Sequence, residues 1–155
     1  MEIPCFLPEP VICFAADAPP PPAFPNSHKS TTTRARTRPR VLVVDDERLI
    51  ASTVAAILNG NGFEAFETFS GEEAIEAARR LHPDIILSDV LMPKMTGVEL
   101  GILIAHELPE TRVVLFSGQA ATSELMRKAH ASGYVFELFA KPIHPDELIA
   151  KLRQL

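Results

Sequence analysis

Five side chains of this sequence have the types and spacing of a site for charged chemistry. Asp45 and Asp46 follow the apolar run Val41–Val44, and Asp89 follows the run 84–88. Ser117 follows the run 112–116, and Lys141, with Pro142 behind it, follows the run 134–139. Gathered in one cleft, three unneutralised carboxylates repel one another. A hard divalent cation that accepts oxygen ligands and keeps waters, Mg2+ by preference, relieves that repulsion. A lysine adds nothing to a site built for the metal alone. It does offer a point charge to an anionic group such as a phosphoryl, and a serine hydroxyl adds a hydrogen bond. Taken singly, each residue has a plainer role: Asp45 or Asp46 as a helix cap, Asp89 as a turn residue, Ser117 as another cap, Lys141 as a solvated surface charge. Only a fold that sets all of them on one edge makes them a site.

The elements that must do this are legible from about Arg40 onward. Val41-Leu42-Val43-Val44 is a β-branched apolar run of the kind buried on both faces of a sheet. Leu49, Ile50, Val54, Ile57 and Leu58 then recur at helical spacing until Asn59-Gly60-Asn61-Gly62 supplies cap and turn residues. Glu64–Phe69 alternates like a more exposed strand, and Ser70-Gly71-Glu72-Glu73 reads as a capping box opening a helix that ends before Pro83. The alternation continues with strand 84–88, helix 98–107, strand 112–116, helix 121–132 closed by Gly133, and strand 134–139. Pro145, with Asp146 and Glu147 at the positive end of the dipole, starts a final helix. Five strand–helix units predict an α/β fold with a doubly wound parallel sheet. In such sheets ligands bind beyond the carboxyl ends of the strands, near the switch in strand order. With strand order 2-1-3-4-5, the first and third strands are neighbours, and the three aspartates, the serine and the lysine share one edge.

The segment ahead of these elements is of another kind. Residues 1–40 hold nine of the 14 prolines, both cysteines and none of the seven glycines. Their net charge is +2, against −7 for the remaining 115 residues. The prolines favour extended conformations, and Ser30–Thr33 followed by Arg34, Arg36, Arg38 and Arg40 reads as a basic linker. The expected division is therefore a Pro-rich, disordered leader over 1–38 and a folded domain over 39–155. The leader lacks the basic n-region and unbroken apolar stretch of ~7–15 residues that a secretory signal needs. No stretch approaches the ~18 apolar residues of a membrane span, so a cytoplasmic location is expected. Cys5 and Cys13 support neither a disulfide framework nor a CxxC motif.

Over residues 39–155 the chain resembles the receiver domain of bacterial two-component response regulators. The resemblance is carried by VLVVDDE at 41–47, DIILSDVLMPKMTGVEL at 84–100, VVLFSG at 113–118 and KP at 141–142, in order and on the expected elements. It implies a (βα)5 flavodoxin-like fold. It also implies that Asp89 is the phosphoacceptor, taking a phosphoryl group from the phosphohistidine of a sensor histidine kinase or histidine phosphotransfer protein. Mg2+ would be held by Asp46, Asp89 and the backbone carbonyl of Leu91, with Asp45 acting mainly through bound water. Lys141 and Ser117 would contact phosphoryl oxygens, and the Lys141–Pro142 bond would be cis. The protein would be a signalling phosphoacceptor that assists its own phosphorylation and dephosphorylation, not a turnover enzyme.

Two positions depart from the family pattern. Where a switching Tyr or Phe is usual, three residues before the lysine, the chain has Leu138, with Phe136 and Phe139 nearby but out of register. The positions two beyond Asp89 and Ser117, which tune phosphate lifetime, are Leu91 and Gln119. Only 14 residues follow Lys141, so a stand-alone receiver without a DNA-binding module is expected. Its output would be a protein contact through the surface of residues 121–139, with homodimerisation on phosphorylation as a further possibility. Two other classes compete. A phosphorylation-independent interaction domain gains support from Leu138 but is opposed by the complete acidic pocket. A phosphohydrolase of the haloacid dehalogenase type needs D-x-D after its first strand, where this chain has Asp45-Asp46-Glu47. Nucleotide-binding folds need a Gly-rich loop after that strand, which the chain lacks.

Overall fold

Val41 to Val44 are almost wholly inaccessible to solvent, as a central strand covered on both faces must be. In the computed structural model, which describes residues 38–118 and 122–155, they form β1 (Arg40–Val44). The order continues α1 (Arg48–Gly60), β2 (Glu64–Thr68), α2 (Gly71–Leu81), β3 (Ile85–Asp89), α3 (Gly97–Glu107), β4 (Arg112–Ser117), α4 (Thr122–Ala131), β5 (Glu137–Ala140) and α5 (Pro145–Leu152). The strands pair in parallel as β2-β1-β3-β4-β5, the doubly wound α/β order expected from the sequence. The leader through Thr37, together with Gln119 and Ala121, lies outside the described residues.

The period-2 alternation of strand side chains divides the core. Val41, Val43, Ile85, Leu87 and Val114 face α1 and α5, meeting Ala55, Leu58, Leu148 and Ile149. Leu42, Val44 and Ile86 face α2 and α3, meeting Ala74, Ala78, Leu100 and Ile104. Val90, Val98, Leu115 and Ala129 complete that second side beneath α3 and α4.

Helix ends follow local chemistry, with two differences from expectation. At α2 the Ser70 hydroxyl accepts the Glu73 N–H at 3.2 Å, but the Glu73 carboxylate accepts the Phe69 N–H at 3.1 Å, one residue earlier than a capping box requires. The reciprocal box belongs instead to α3, where Thr96 Oγ1 accepts the Glu99 N–H and Glu99 Oε2 accepts the Thr96 N–H at 2.8 Å. Helix α2 ends on His82 in the left-handed region (φ 46°), because a residue before proline is disfavoured in the helical region.

The last strand also begins three residues later than expected. Gly133, at φ 85°, closes α4, and residues 134–136 stay out of the ladder, with the Tyr134 and Phe136 rings turned toward α3. The Tyr134 hydroxyl pairs with His106 Nε2, Tyr134 stacks on Phe136, and the Phe136 ring occupies space left by Gly101. Pairing with β4 starts only at Glu137 opposite Val114.

Candidate phosphoacceptor and metal site

Asp45 lies directly beyond β1, and Asp89 is the last residue of the neighbouring β3. Ser117 ends β4, and Lys141 lies directly beyond β5. The sheet thus delivers the five predicted side chains to its carboxyl edge by strand length alone.

One carboxylate oxygen from each of Asp45, Asp46 and Asp89 lies within 4.8 Å of the others. Asp45 is buried, Asp89 half-buried and Asp46 exposed, so the cluster opens to solvent on the Asp46 side. The Lys141 ammonium stands between two of them, donating to Asp45 Oδ2 at 2.9 Å and Asp89 Oδ1 at 3.0 Å. It also lies 4.8 Å from the centre of the Phe116 ring. The Lys141 N–H donates to the Ser117 carbonyl at 2.8 Å, tying the lysine to the end of β4, and the Lys141–Pro142 bond is cis. Ser117 itself is buried.

For Asp45 and Lys141 the plainer roles do not account for the placement. The α1 cap residue is Glu47, which makes no side-chain cap bond, while Asp45 Oδ1 accepts the Glu47 N–H at 2.9 Å in a local turn. Lys141 is an ion-paired, partly buried cation with 22% side-chain exposure, not a solvated surface lysine.

The electrostatics are those of an under-neutralised pocket. Burial pushes the Asp89 carboxyl above its ordinary range, and the Asp45 charge adds to this, while the hydrogen bond and charge of Lys141 oppose it. For Lys141, burial alone would lower the ammonium, but hydrogen bonds and charge from Asp45 and Asp89 outweigh it and the net direction is up. One ammonium faces three carboxylates. An all-oxygen donor set with surplus negative charge and an open side for water fits Mg2+.

Three features of the site were not anticipated from sequence. The Thr96–Glu99 box that fixes the start of α3 was signalled by the T-x-x-E pattern at 96–99. The Arg48 guanidinium stacks 4.3 Å from the Phe69 ring centre, joining the first turn of α1 to the end of β2. Ser88, fully buried, donates its hydroxyl to the Asp89 carbonyl at 2.9 Å. Nothing in sequence periodicity separates that serine from an ordinary core residue.

Leu138 faces the α4 side of β5 and is 43% exposed, whereas Phe139 is buried against α5. No aromatic ring therefore stands at position 138, and the Phe136 ring lies against Gly101.

A parallel 2-1-3-4-5 sheet with five helices and an acidic pocket at its carboxyl edge defines a CheY-like flavodoxin fold. The chain belongs to the response regulator receiver domain family, whose profile matches residues 41–153. It is 30% identical over 118 residues to the DNA-binding response regulator MtrA of Mycolicibacterium smegmatis, covering 75% of this chain and 50% of that protein. The probable transcriptional regulatory protein TcrX of Mycobacterium tuberculosis is 33% identical over 115 residues, covering 74% and 48%. The chain thus spans about half the length of the curated relatives it matches. Among solved structures, the chemotaxis response regulator CheY4 of Vibrio cholerae superposes with a TM-score of 0.67 at 28% identity, over 76% of this chain and 98% of that one. The receiver domain of NtrX from Brucella abortus gives 0.65 at 30% identity, over 74% and 95%. Among the described residues no helix is long and apolar enough to cross a membrane.

Proposed function

We propose that this chain is a phosphoacceptor whose Asp89 takes a phosphoryl group from a phosphohistidine on a histidine kinase or phosphotransfer protein. The observation that carries this reading is the convergence of Asp45, Asp46 and Asp89 with Lys141 bridging Asp45 and Asp89. An Asp89 carboxylate oxygen attacks phosphorus. The P–O bond forms as the P–N bond to the donor imidazole breaks, and the imidazole leaves with the bonding pair. Phosphoryl transfer asks the protein mainly for positioning and charge neutralisation. Asp45, Asp46, Asp89 and the Leu91 carbonyl are the oxygens that would hold Mg2+, which when bound supplies charge neutralisation for the phosphoryl oxygens. The Lys141 ammonium exchanges its bond to Asp89 for one to a phosphoryl oxygen, and the Ser117 hydroxyl donates to another. The chain acts as a signalling acceptor that assists its own phosphorylation and dephosphorylation.

Output runs through protein contact at the α4–β5 surface, residues 121–139, where Val135 and Leu138 are exposed. The location is cytoplasmic, with residues 1–38 as a leader and 39–155 as the receiver. A phosphorylation-independent contact module is the second reading, favoured by an aliphatic, half-exposed residue at position 138. Incubation with acetyl phosphate and Mg2+, read by intact mass, separates the two. A single phosphate addition abolished by Asp89→Asn supports the acceptor reading. Absence of modification with acetyl phosphate and with phosphorylated kinases supports the contact module.

A further inference from the structure

The peptide that follows Asp89 is held at both ends and has no room to tilt. Its carbonyl, that of Asp89, accepts the Ser88 hydroxyl at 2.9 Å, and its N–H, that of Val90, donates to the Phe116 carbonyl at 3.2 Å. Behind it, Gly97 donates its N–H to the Val90 carbonyl at 3.0 Å. A Cβ at Gly97 would lie 2.1 Å from the Asp89 carbonyl oxygen and 2.9 Å from Ser88 Oγ, so the arrangement exists only because residue 97 has no side chain. Asp89 sits one step past the last β1–β3 register pair, Val44 with Ser88, so the β1–β3 ladder no longer reaches its carbonyl. The Ser88 hydroxyl takes the place of the missing rung.

We propose that Ser88 is a positioning residue that sets the Asp89 side chain and the Leu91 carbonyl by anchoring the intervening peptide. This rests on the reading of Asp89 as phosphoacceptor and Mg2+ ligand. Turning this peptide would swing Asp89 relative to Lys141 and Asp45, and would carry the Val90–Leu91 peptide with it. Of the two bonds that hold this peptide, the Ser88 hydroxyl is the one a side-chain change can remove, and both proposed metal oxygens on the segment move with it. Displacements of about 1 Å at a reacting group cost rates on the order of 100-fold, so a tilt well short of that is measurable.

The test compares wild type, Ser88→Ala, Ser88→Cys and the core variant Ile104→Val as full chains. Calorimetric titration with Mg2+ alone gives affinity, and acetyl phosphate at saturating Mg2+ gives the maximal phosphorylation rate. Loss of one hydrogen bond of this kind corresponds to about tenfold. Ser88→Ala is expected to weaken Mg2+ binding several-fold and to lower the maximal rate by about that tenfold. Ser88→Cys, with a weaker donor of similar size, should fall between. The backbone carbonyl carbon resonance of Asp89 should shift in Ser88→Ala even without metal. Ile104→Val, which loosens α3 packing, should leave Mg2+ affinity and rate unchanged. Wild-type affinity and rate in Ser88→Ala overturn the proposal, as does an equal loss in Ile104→Val. Should Ser88→Ala not fold, a folded Ser88→Cys protein with both values at wild-type level overturns it as well. A wild type that binds Mg2+ but takes phosphate from no donor refutes the phosphoacceptor reading, while the Mg2+ titrations still decide the role of Ser88.

Discussion

Replacing Lys141 by methionine keeps most of the apolar stem while removing the ammonium over Phe116, the only cation within bonding distance of Asp45 and Asp89 among the described residues. The magnitude follows from the geometry. Two charge pairs at 2.9 and 3.0 Å are each worth about 5.5 kcal/mol of gross attraction at an effective dielectric of about 20. Desolvation of the three groups offsets most of that in the intact protein. Deleting the cation recovers only its own desolvation and strands the carboxylates, which for fully buried pairs costs about 3–5 kcal/mol. The side chains are 22% exposed at Lys141, 4% at Asp45 and 15% at Asp89, so water returns a share. The expected loss is about 2–3 kcal/mol, or a fall in Tm of about 8–15 °C for a domain of this size. Urea denaturation in EDTA and in excess Mg2+ provides the assay. A site filled at 100 times its Kd gains about 2.7 kcal/mol. Because the ammonium competes with the metal for the same carboxylates, Mg2+ should stabilise Lys141→Met by more than it stabilises wild type. A variant as stable as wild type in EDTA would refute the pairing argument. Equal Mg2+ increments in the two proteins would refute the competition between lysine and metal.

Asp89→Asn should be more stable than wild type at neutral pH without metal. Its carboxyl is raised by burial, and a raised acid lowers stability above its folded-state pKa and returns it as pH falls through that range, so the difference in Tm should shrink on acidification. Leu91→Asn should shorten the lifetime of the aspartyl phosphate, since Leu91, 36% exposed beside the pocket, would shield the acyl phosphate from water; equal rates of phosphate loss would rule the shielding out. Thr96→Ala should cost about 1 kcal/mol in chemical denaturation by opening the α3 box. The backbone and hydroxyl bonds from Thr96 hold the Glu99 carboxyl below its usual range, so wild type should lose this contribution as pH falls through that lowered pKa and the variant should not. A chain beginning at Arg38 should phosphorylate at the rate of the full chain, and a slower rate would assign residues 1–37 a function.

The fold was readable because each strand carries its own evidence. Val41–Val44 is too apolar and β-branched for a surface helix, and the run ends on acids that cannot continue into a core. The same reasoning failed at Tyr134–Phe136. Its residues have strand propensity, but Gly101 and His106, some thirty residues earlier on α3, offer the rings a better place than the edge of the sheet. At Ser70 the capping pattern located the helix start correctly but not the partner of Glu73, since the choice between adjacent N–H groups depends on how β2 leads into the helix. The candidate site was legible for a topological reason: parallel strands of similar length end at one edge, so residues after each strand become neighbours regardless of their separation in sequence. Ser88 escaped notice, and Gly97 entered only as part of the matching segment 84–100, because their contacts are with the Asp89 backbone, which no side-chain pattern encodes.

The acidity of the domain acquires a more specific meaning from this geometry. Its net charge of −7 over residues 41–155 would serve solubility equally well if spread over the helices. Instead three carboxylates converge, only two of them bonded to an ammonium, and burial leaves Asp89 harder to ionise than an ordinary carboxylate. Such an arrangement is unfavourable for the folded chain alone and becomes favourable when positive charge enters. Groups held in that condition respond to a cation or to esterification of Asp89 by redistributing Lys141 between partners, which is a local change of bonding. Tyr134 and Phe136 pack against α3, and position 138 carries no ring. The connected path is the backbone: the Lys141 N–H bonds the Ser117 carbonyl, and Lys141 follows directly on β5, where Leu138 stands half exposed. A shift of Lys141 toward a phosphoryl group would therefore reach the α4–β5 surface through the end of β5, and Leu138→Ala should weaken partner binding without altering the rate at which Asp89 is phosphorylated.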